Sequence, residues 1–282
     1  MTARTTGATR PTRATRAVIL ARGLGTRMRR DDAAAVLDSE QARVAARGIK
    51  AMIPIGRPFL DYVLSALADA GYRDVCLVIG PEHDVVREYY THGVTLTRLR
   101  VHFATQEHPS GTADAVLAAE EFAGNERVLV LNSDNYYPVQ TFTALAGIAG
   151  SGVAGFERGP LVRDGNIPAD RVRQYAMLVV RADNSLERII EKPDAATMGR
   201  FGDDALVSMN CWMFTPMIFR ACRLVRPSPR NELELPDAVR IAITELGERI
   251  DVVPVTGGVL DLSQRGDIAA VKARLANVMV SL

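Results

Sequence analysis

The stretch AVILARGLGTRMRR, Ala17 to Arg30, decides the fold. Five apolar residues end at Ala21, two glycines follow one residue apart at Gly23 and Gly25, and Thr26 opens a basic, helix-favouring segment. Glycine has no Cβ, so the backbone N–H groups of such a turn can approach an anion closely, and the helix start that follows favours negative charge. Two other glycine loops are excluded. A dinucleotide fingerprint needs a third glycine where Met28 stands, and a P-loop needs Gly-Lys-Ser/Thr, which occurs nowhere in the chain. The competing reading of a bare glycine pair is a tight strand-to-helix turn with no ligand.

Outward from this turn, apolar strands alternate with amphipathic helices. A helix opens at Pro58, carries Leu60, Val63, Leu64 and Leu67 on one face, and stops at Gly71. Then come DVCLVIG, a helix from about His83, RVHFAT, a helix through GTADAVLAAEEFA, and RVLVLNSD. The alternation predicts an α/β fold, a Rossmann-like mixed and mostly parallel sheet with helices on both faces. From about Val153 the pattern is less regular, and QYAMLVV and LERIIEKP, separated by RADNS, predict a hairpin. Residues 1–16 hold four arginines, no acid and no apolar periodicity, and read as a disordered basic tail ahead of one domain over 17–282.

Composition narrows the function. The chain has 282 residues, 34 Lys+Arg against 33 Asp+Glu, and 48% hydrophobic residues. That balance gives no support to nucleic-acid binding by bulk charge, so any phosphate recognition must be local. No apolar run approaches the roughly 18–20 residues that span a bilayer, and the expectation is a cytoplasmic protein with no membrane partner. Cys76, Cys211 and Cys222 have no metal spacing and are expected in the core. His83, His92, His102 and His108 show neither metal pairing nor a nucleophile signature and are assigned to loops or surface, while Trp212 is assigned to the core. Only Lys50, Lys192 and Lys272 are lysine in an otherwise arginine-based set of cations.

The run Leu20-Ala21-Arg22-Gly23-Leu24-Gly25-Thr26-Arg27-Met28-Arg29, directly after a first strand, resembles the signature loop of the sugar-1-phosphate nucleotidylyltransferases, written LAxGxGTRLxP. Further segments match the family in its order. IKAMIPIGRPFLDYVLSAL supplies Lys50; QEHPSGTADAVLAA supplies Gln106, Gly111 and Thr112; VLVLNSDNYY ends in Ser133-Asp134-Asn135; LERIIEKPD carries Glu191-Lys192-Pro193. VSMNCWMF offers Asn210, NELELPDAV offers Glu234, and GGVLDLSQRGDIAAV places Asp261. The resemblance covers residues 17 to about 275 and implies the nucleotide-diphospho-sugar transferase type of fold, with a nucleotide-binding half over 17–150 and an acceptor-binding half over 151–282.

It also implies an activity: NMP passes from an NTP to a sugar-1-phosphate or cyclitol-1-phosphate, giving an NDP-sugar and pyrophosphate. Two anions must meet, so positive charge and metal do most of the work. Arg27, Lys50, Asp134 and Lys192 are the expected catalytic residues, with Lys192 on the acceptor phosphate. Leu20, Ala21, Gly23, Gly25, Thr26, Gln106, Gly111 and Thr112 are expected to bind nucleotide, and Asn135, Tyr175, Glu191, Asn210 and Glu234 the acceptor. Asp134 and Asp261 are expected to share a Mg²⁺. The resemblance further favours a homo-oligomer. The base stays open, because GTADAV is similar to an adenylyl branch and SDN to a thymidylyl branch. The alternative function is a catalytically idle, nucleotide- or sugar-binding regulatory homologue.

Four departures stand out. Arg22 replaces a small residue and is expected to touch the triphosphate or point to solvent. Ala51 replaces a proline, and Ala176 stands where the family has Tyr-Gly. Between Arg27 and Lys50 lie 22 residues, about twice the family's span, and the alanine-rich insertion predicts a short helix that either closes over the nucleotide as a lid or packs permanently on the surface.

Overall fold

The computed structural model describes residues 13–201 and 205–282. Its strands are β1 (Arg16–Leu20), β2 (Asp74–Ile79), β3 (Arg100–Thr105), β4 (Val128–Asn132), β5 (Asn135–Tyr136), β6 (Ser151–Glu157), β7 (Ala176–Val180), β8 (Leu186–Ile190), β9 (Leu206–Phe214), β10 (Ile250–Val255) and β11 (Leu260–Asp261). Among the described residues one sheet runs in the order β10-β6-β9-β4-β1-β2-β3, with β7 on the free end of β9 and β8 on β7. The β1–β2, β1–β4, β2–β3 and β6–β10 pairs are parallel, and β9 is antiparallel to β4 and β6. Parallel strands need crossover helices on both faces, so both faces are covered. Ile19, Leu77, Leu129 and Leu131 face one core with the helix Phe59–Asp69; Val18, Cys76, Val130 and Trp212 face the other, with the helices Met217–Leu224 and Leu235–Thr244.

The expected α/β sheet and the β7–β8 hairpin are present. The three cysteines are free and buried, and Trp212 is buried and stacked on Phe214 at 5.5 Å. The tail assignment needs correction at its end. Residues 1–12 lie outside the described ones, but Arg13 Nη2 donates to Ala70 O at 2.7 Å, Ala14 is buried, and Arg16 opens β1. Four residues read as tail are therefore part of the fold. The histidines keep their assignment to loops or surface, and two have defined partners. His83 is buried, with Nδ1 accepting from Gly80 N, and its desolvation lowers its pKa; His102 lies in β3 with Nε2 3.0 Å from Asp74 Oδ1.

Two consequences position the site. β1 and β4 end side by side at Leu20 and Asn132, so their carboxyl ends open onto one crevice, where open α/β sheets bind ligands. The short β5–β11 pair, Asp261 opposite Asn135 and Leu260 opposite Tyr136, hangs beside that crevice.

Candidate active site

The glycine turn leaves β1 under strict control. Ala21 N still donates to Val78 O at 2.8 Å, and Gly25 takes a left-handed φ of 60°. A Cβ on Gly25 would lie 2.6 Å from Gly48 Cα, so this glycine is required by backbone contact as well as by its dihedral. Gly23 differs: no atom lies within 4 Å of its would-be Cβ, and it lines open space. The short helix Thr26–Arg29 is anchored by the fully buried Met28, which leaves Arg27 exposed on the crevice wall.

A cavity of about 410 Å³ lies over the turn. Leu20, Ala21, Gly23, Thr26, Lys50, Gln106, Gly111 and Thr112 line it together, and Gly25 does not. Gln106 is buried, and Nε2 donates to Gly111 O at 3.0 Å and Asp114 Oδ2 at 2.8 Å. Both partners only accept, which fixes the amide orientation and leaves Oε1 to face a ligand. Arg22 also lines this cavity, and the expectation that it points to solvent is corrected. Its side chain is 7% exposed, Nε donates to Gln106 O at 2.7 Å, Nη2 to Glu107 O at 3.2 Å, and Nη1 lies 3.4 Å from Glu82. It braces the loop of Gln106 and Glu107 from the cavity wall instead of pointing to solvent.

A second cleft of about 880 Å³ shares Thr26, Asn132, Asp134 and Glu232 with the first, so the two meet at the end of β4. Arg27, Asn135, Tyr175, Glu191, Lys192, Asn210 and Asp261 line it. Two strained residues aim into it. β9 changes register between its pairings with Val153 and Gly155, and Asn210 sits in that irregularity at φ 56°; Lys192, just past β8, has φ 43°. Asparagine tolerates the left-handed region, whereas for lysine it costs about 1–2 kcal/mol. Lys192→Gly is therefore expected to be more stable than Lys192→Ala by about 1 kcal/mol in thermal melts, while both lose whatever binding the ammonium provides. Equal melting temperatures would contradict the strain.

Glu234 does not line the cleft; it accepts from Arg230 Nη2 at 2.9 Å. Arg230 and Glu232 line it instead, and Arg173 joins them. This segment is sewn to the loop that carries Gly111. Leu233 N donates to Ser110 O at 2.7 Å, Ala113 N to Leu233 O at 2.9 Å, and Leu235 N to Thr112 Oγ1 at 2.8 Å. Gly111, at φ 119°, admits this contact because a Cβ would lie 2.6 Å from Leu233 N.

Two carboxylates converge where the cavities meet. Lys50 Nζ donates to Asp134 Oδ2 at 2.8 Å, the side chains being 16% and 20% exposed. Asp261 is nearly enclosed. Oδ1 accepts from Asn135 Nδ2 at 3.1 Å and Ser263 Oγ at 3.0 Å, and Oδ2 accepts from Arg171 Nη2. Asn166 clamps its backbone in both directions, at 2.7 and 2.9 Å. Arg171 also forks onto Asp267 at 2.6 and 3.1 Å, and sequence reasoning missed this residue altogether. Burial is the largest influence on Asp261 and raises its carboxyl, Asp134's charge acts the same way, and Arg171 opposes both. Burial, followed by Asp261's charge, also raises the Tyr175 hydroxyl.

A divalent cation fits this donor set in a limited way. Among the described residues no group of three or more His, Cys, Asp and Glu gathers, and the pair is Asp134 with Asp261. Mg²⁺ is commonly held by one or two carboxylates with phosphate oxygens and water completing the shell. Asp134 presents a carboxylate whose protein partner is a removable lysine, and Asp261 Oδ2 retains a lone pair beside Arg171.

The insertion forms the expected short helix, Ser39–Arg47, started by a capping box between Asp38 and Gln41. It is docked: Gln41 Nε2 donates to Pro54 O at 2.8 Å, Ala45 is fully buried, and Gly48 closes the helix against Gly25. Arg265 pins the preceding turn through Met28 O at 3.0 Å and Asp31 at 2.8 Å. Residues 29–34 and Val36 are exposed, as is the outer face of the helix at Glu40, Arg43 and Arg47.

Comparison with known proteins follows the same lines. The family model described as nucleotidyl transferase matches residues 43–256. A UTP--glucose-1-phosphate uridylyltransferase of Haloferax volcanii, AglF, is 27% identical over 263 residues, covering 92% of this chain and 96% of that protein. A UTP--glucose-1-phosphate uridylyltransferase of Streptococcus pneumoniae serotype 4 is 26% identical, covering 79% and 78%. The crystal structure of UDP-glucose pyrophosphorylase complexed with UDP-glucose aligns with a TM-score of 0.70 at 20% identity, covering 93% of this chain and 98% of that one, which establishes the shared fold. No helix among the described residues is long and apolar enough to cross a membrane.

Proposed function

The chain belongs to the nucleotidyl transferase family, and from that premise we propose that it transfers UMP from UTP to a sugar-1-phosphate, releasing pyrophosphate. The carrying observation is the junction of two cavities at Asn132 and Asp134, one over a glycine turn and one lined by Lys192 and Asn210. A phosphate at that junction is accessible from both sides, as in-line displacement requires.

The acceptor's phosphate oxygen attacks the α-phosphorus of UTP; the new P–O bond forms as the bond to the β-phosphate oxygen breaks, and pyrophosphate leaves with that electron pair. The attacking oxygen is already anionic, so no general base is needed. Arg27 reaches from the loop with a planar fork suited to the leaving phosphates, Lys50 places a point charge at the α-phosphate, and Lys192 holds the acceptor phosphate. Asp134 and Asp261 would hold Mg²⁺, which would neutralise phosphate charge as the bond to pyrophosphate breaks. Arg230 and Arg173 add cationic surface on the acceptor side. Nothing in the site favours an idle homologue.

Uridine is preferred here for two reasons. The relatives cited are named for UTP, and Gln106 Oε1 offers an acceptor that suits the N3–H of uracil or thymine. Cytosine brings an acceptor at N3, so two lone pairs would face each other. Pyrophosphate release from UTP, TTP, CTP, ATP and GTP, each with α-glucose 1-phosphate, tests this. UTP is expected to exceed CTP by about 10²-fold or more, the cost of an unpaired polar contact in a built site. Equal rates for UTP and CTP would remove Gln106 as the base reader, and no release with any donor would remove the transfer reading.

A further inference from the structure

Lys50 and Asp134 are 84 positions apart in sequence and meet at the junction of the two cavities, Nζ to Oδ2 at 2.8 Å. Under the reading above, substrates would give each a different partner: a phosphate for Lys50, a cation for Asp134. The two carboxylates of the junction are held in contrasting ways. Asp261 is locked by the buried fork of Arg171, which also grips Asp267, and by Asn135 and Ser263. Asp134 is met by a single ammonium on a flexible four-carbon stem, with both side chains partly open to the cleft.

The backbone that carries Lys50 is tied to the glycine turn. Lys50 N donates to Gly48 O at 3.0 Å, Gly48 packs directly against Gly25, and Arg29 Nη2 donates to Arg47 O at 3.0 Å. A phosphate group settling on the turn therefore acts on the segment that aims Lys50.

We propose that Lys50 is a tethered stand-in for the divalent cation at Asp134: its ammonium holds the carboxylate in the substrate-free protein and leaves it for the donor's phosphate when nucleotide and metal arrive together. The inference rests on the transfer reading. It makes the substrate-free protein a poor binder of bare metal, because the incoming ion must first displace an internal positive charge. It also keeps Asp134 from standing unpaired beside Asp261.

The test is Mn²⁺ binding followed by electron paramagnetic resonance on the full chain, without nucleotide, for the wild type, Lys50→Met, Lys50→Gln and Asp134→Asn. Both Lys50 variants are expected to bind Mn²⁺ roughly five- to tenfold more tightly, because a partly screened competing charge has gone. Asp134→Asn is expected to lose that binding. Unchanged or weaker Mn²⁺ binding in both Lys50 variants would overturn the proposal, as would retention of binding by Asp134→Asn. Having two neutral replacements guards against one of them misfolding. If the wild type releases no pyrophosphate from any donor while the Lys50 variants still tighten Mn²⁺ binding, the transfer reading falls and the exchange at Asp134 stands.

Discussion

Asp134→Asn is expected to lower turnover by about a thousandfold or more while leaving the protein folded. The substitution keeps the shape of the side chain and removes the charge. Losing a metal-binding carboxylate costs several kcal/mol of transition-state stabilisation, and about 1.4 kcal/mol is a factor of ten in rate. The effect on stability is small by comparison. Among the described residues the ion pair that goes is the one with Lys50; the two side chains are 16% and 20% exposed, and such pairs contribute about 1 kcal/mol. Steady-state kinetics across a Mg²⁺ titration, beside a thermal melt, checks both halves. Unchanged turnover at saturating Mg²⁺ would sink the role given to Asp134.

Arg171→Ala is expected to produce the largest loss of stability of any single substitution in the site. Its guanidinium bridges Asp261 and Asp267, which are 2% and 5% exposed, and truncation leaves two carboxylates facing each other with little water. Removing one partner of such a buried group costs about 3–5 kcal/mol. For a chain of this size each kcal/mol lowers the melting temperature by about 2–4 °C, so a fall of about 10 °C is expected. Arg173→Ala, two residues on and exposed, is the control and should stay within about 0.5 kcal/mol of the wild type. Equal melting temperatures for the two variants would show that Arg171 does not neutralise Asp261.

The sequence carried the alternation of strands with helices and the glycine turn because both signals are local. An apolar run of five, a glycine pair and a threonine specify strand, turn and helix within a dozen positions, and Gly25 proved necessary for reasons of dihedral and contact together. Capping chemistry was also in the chain at short range: Asp38 and Gln41 start the inserted helix three residues apart. What was lost depended on distant partners. Arg171 sits in NIPADRVRQ, which has no periodicity, among so many arginines that none is distinctive; its meaning comes from Asp261, 90 positions on. Whether Arg22 points to solvent could not be read from its place beside the glycines, because its guanidinium is held by the carbonyl of Gln106, 84 positions on. Glu232 and Glu234 show a subtler limit. Both acids belong to one motif, and which of them faces the cleft is set by Leu233, which Ser110 O and Ala113 N fix beside Gly111 by hydrogen bonds that no spacing rule encodes. The irregularity that turns Asn210 inward is equally invisible, since VSMNCWMF reads as an ordinary strand.

The most direct test of the central claim is ³¹P nuclear magnetic resonance of the purified chain with UTP, α-glucose 1-phosphate and Mg²⁺. Transfer predicts that the resonances of UTP and the monoester decline together while pyrophosphate and the two coupled phosphorus atoms of a nucleotide diphosphosugar grow in equal amounts. Loss of UTP with formation of UDP and inorganic phosphate, or a monoester resonance that never changes, would contradict it.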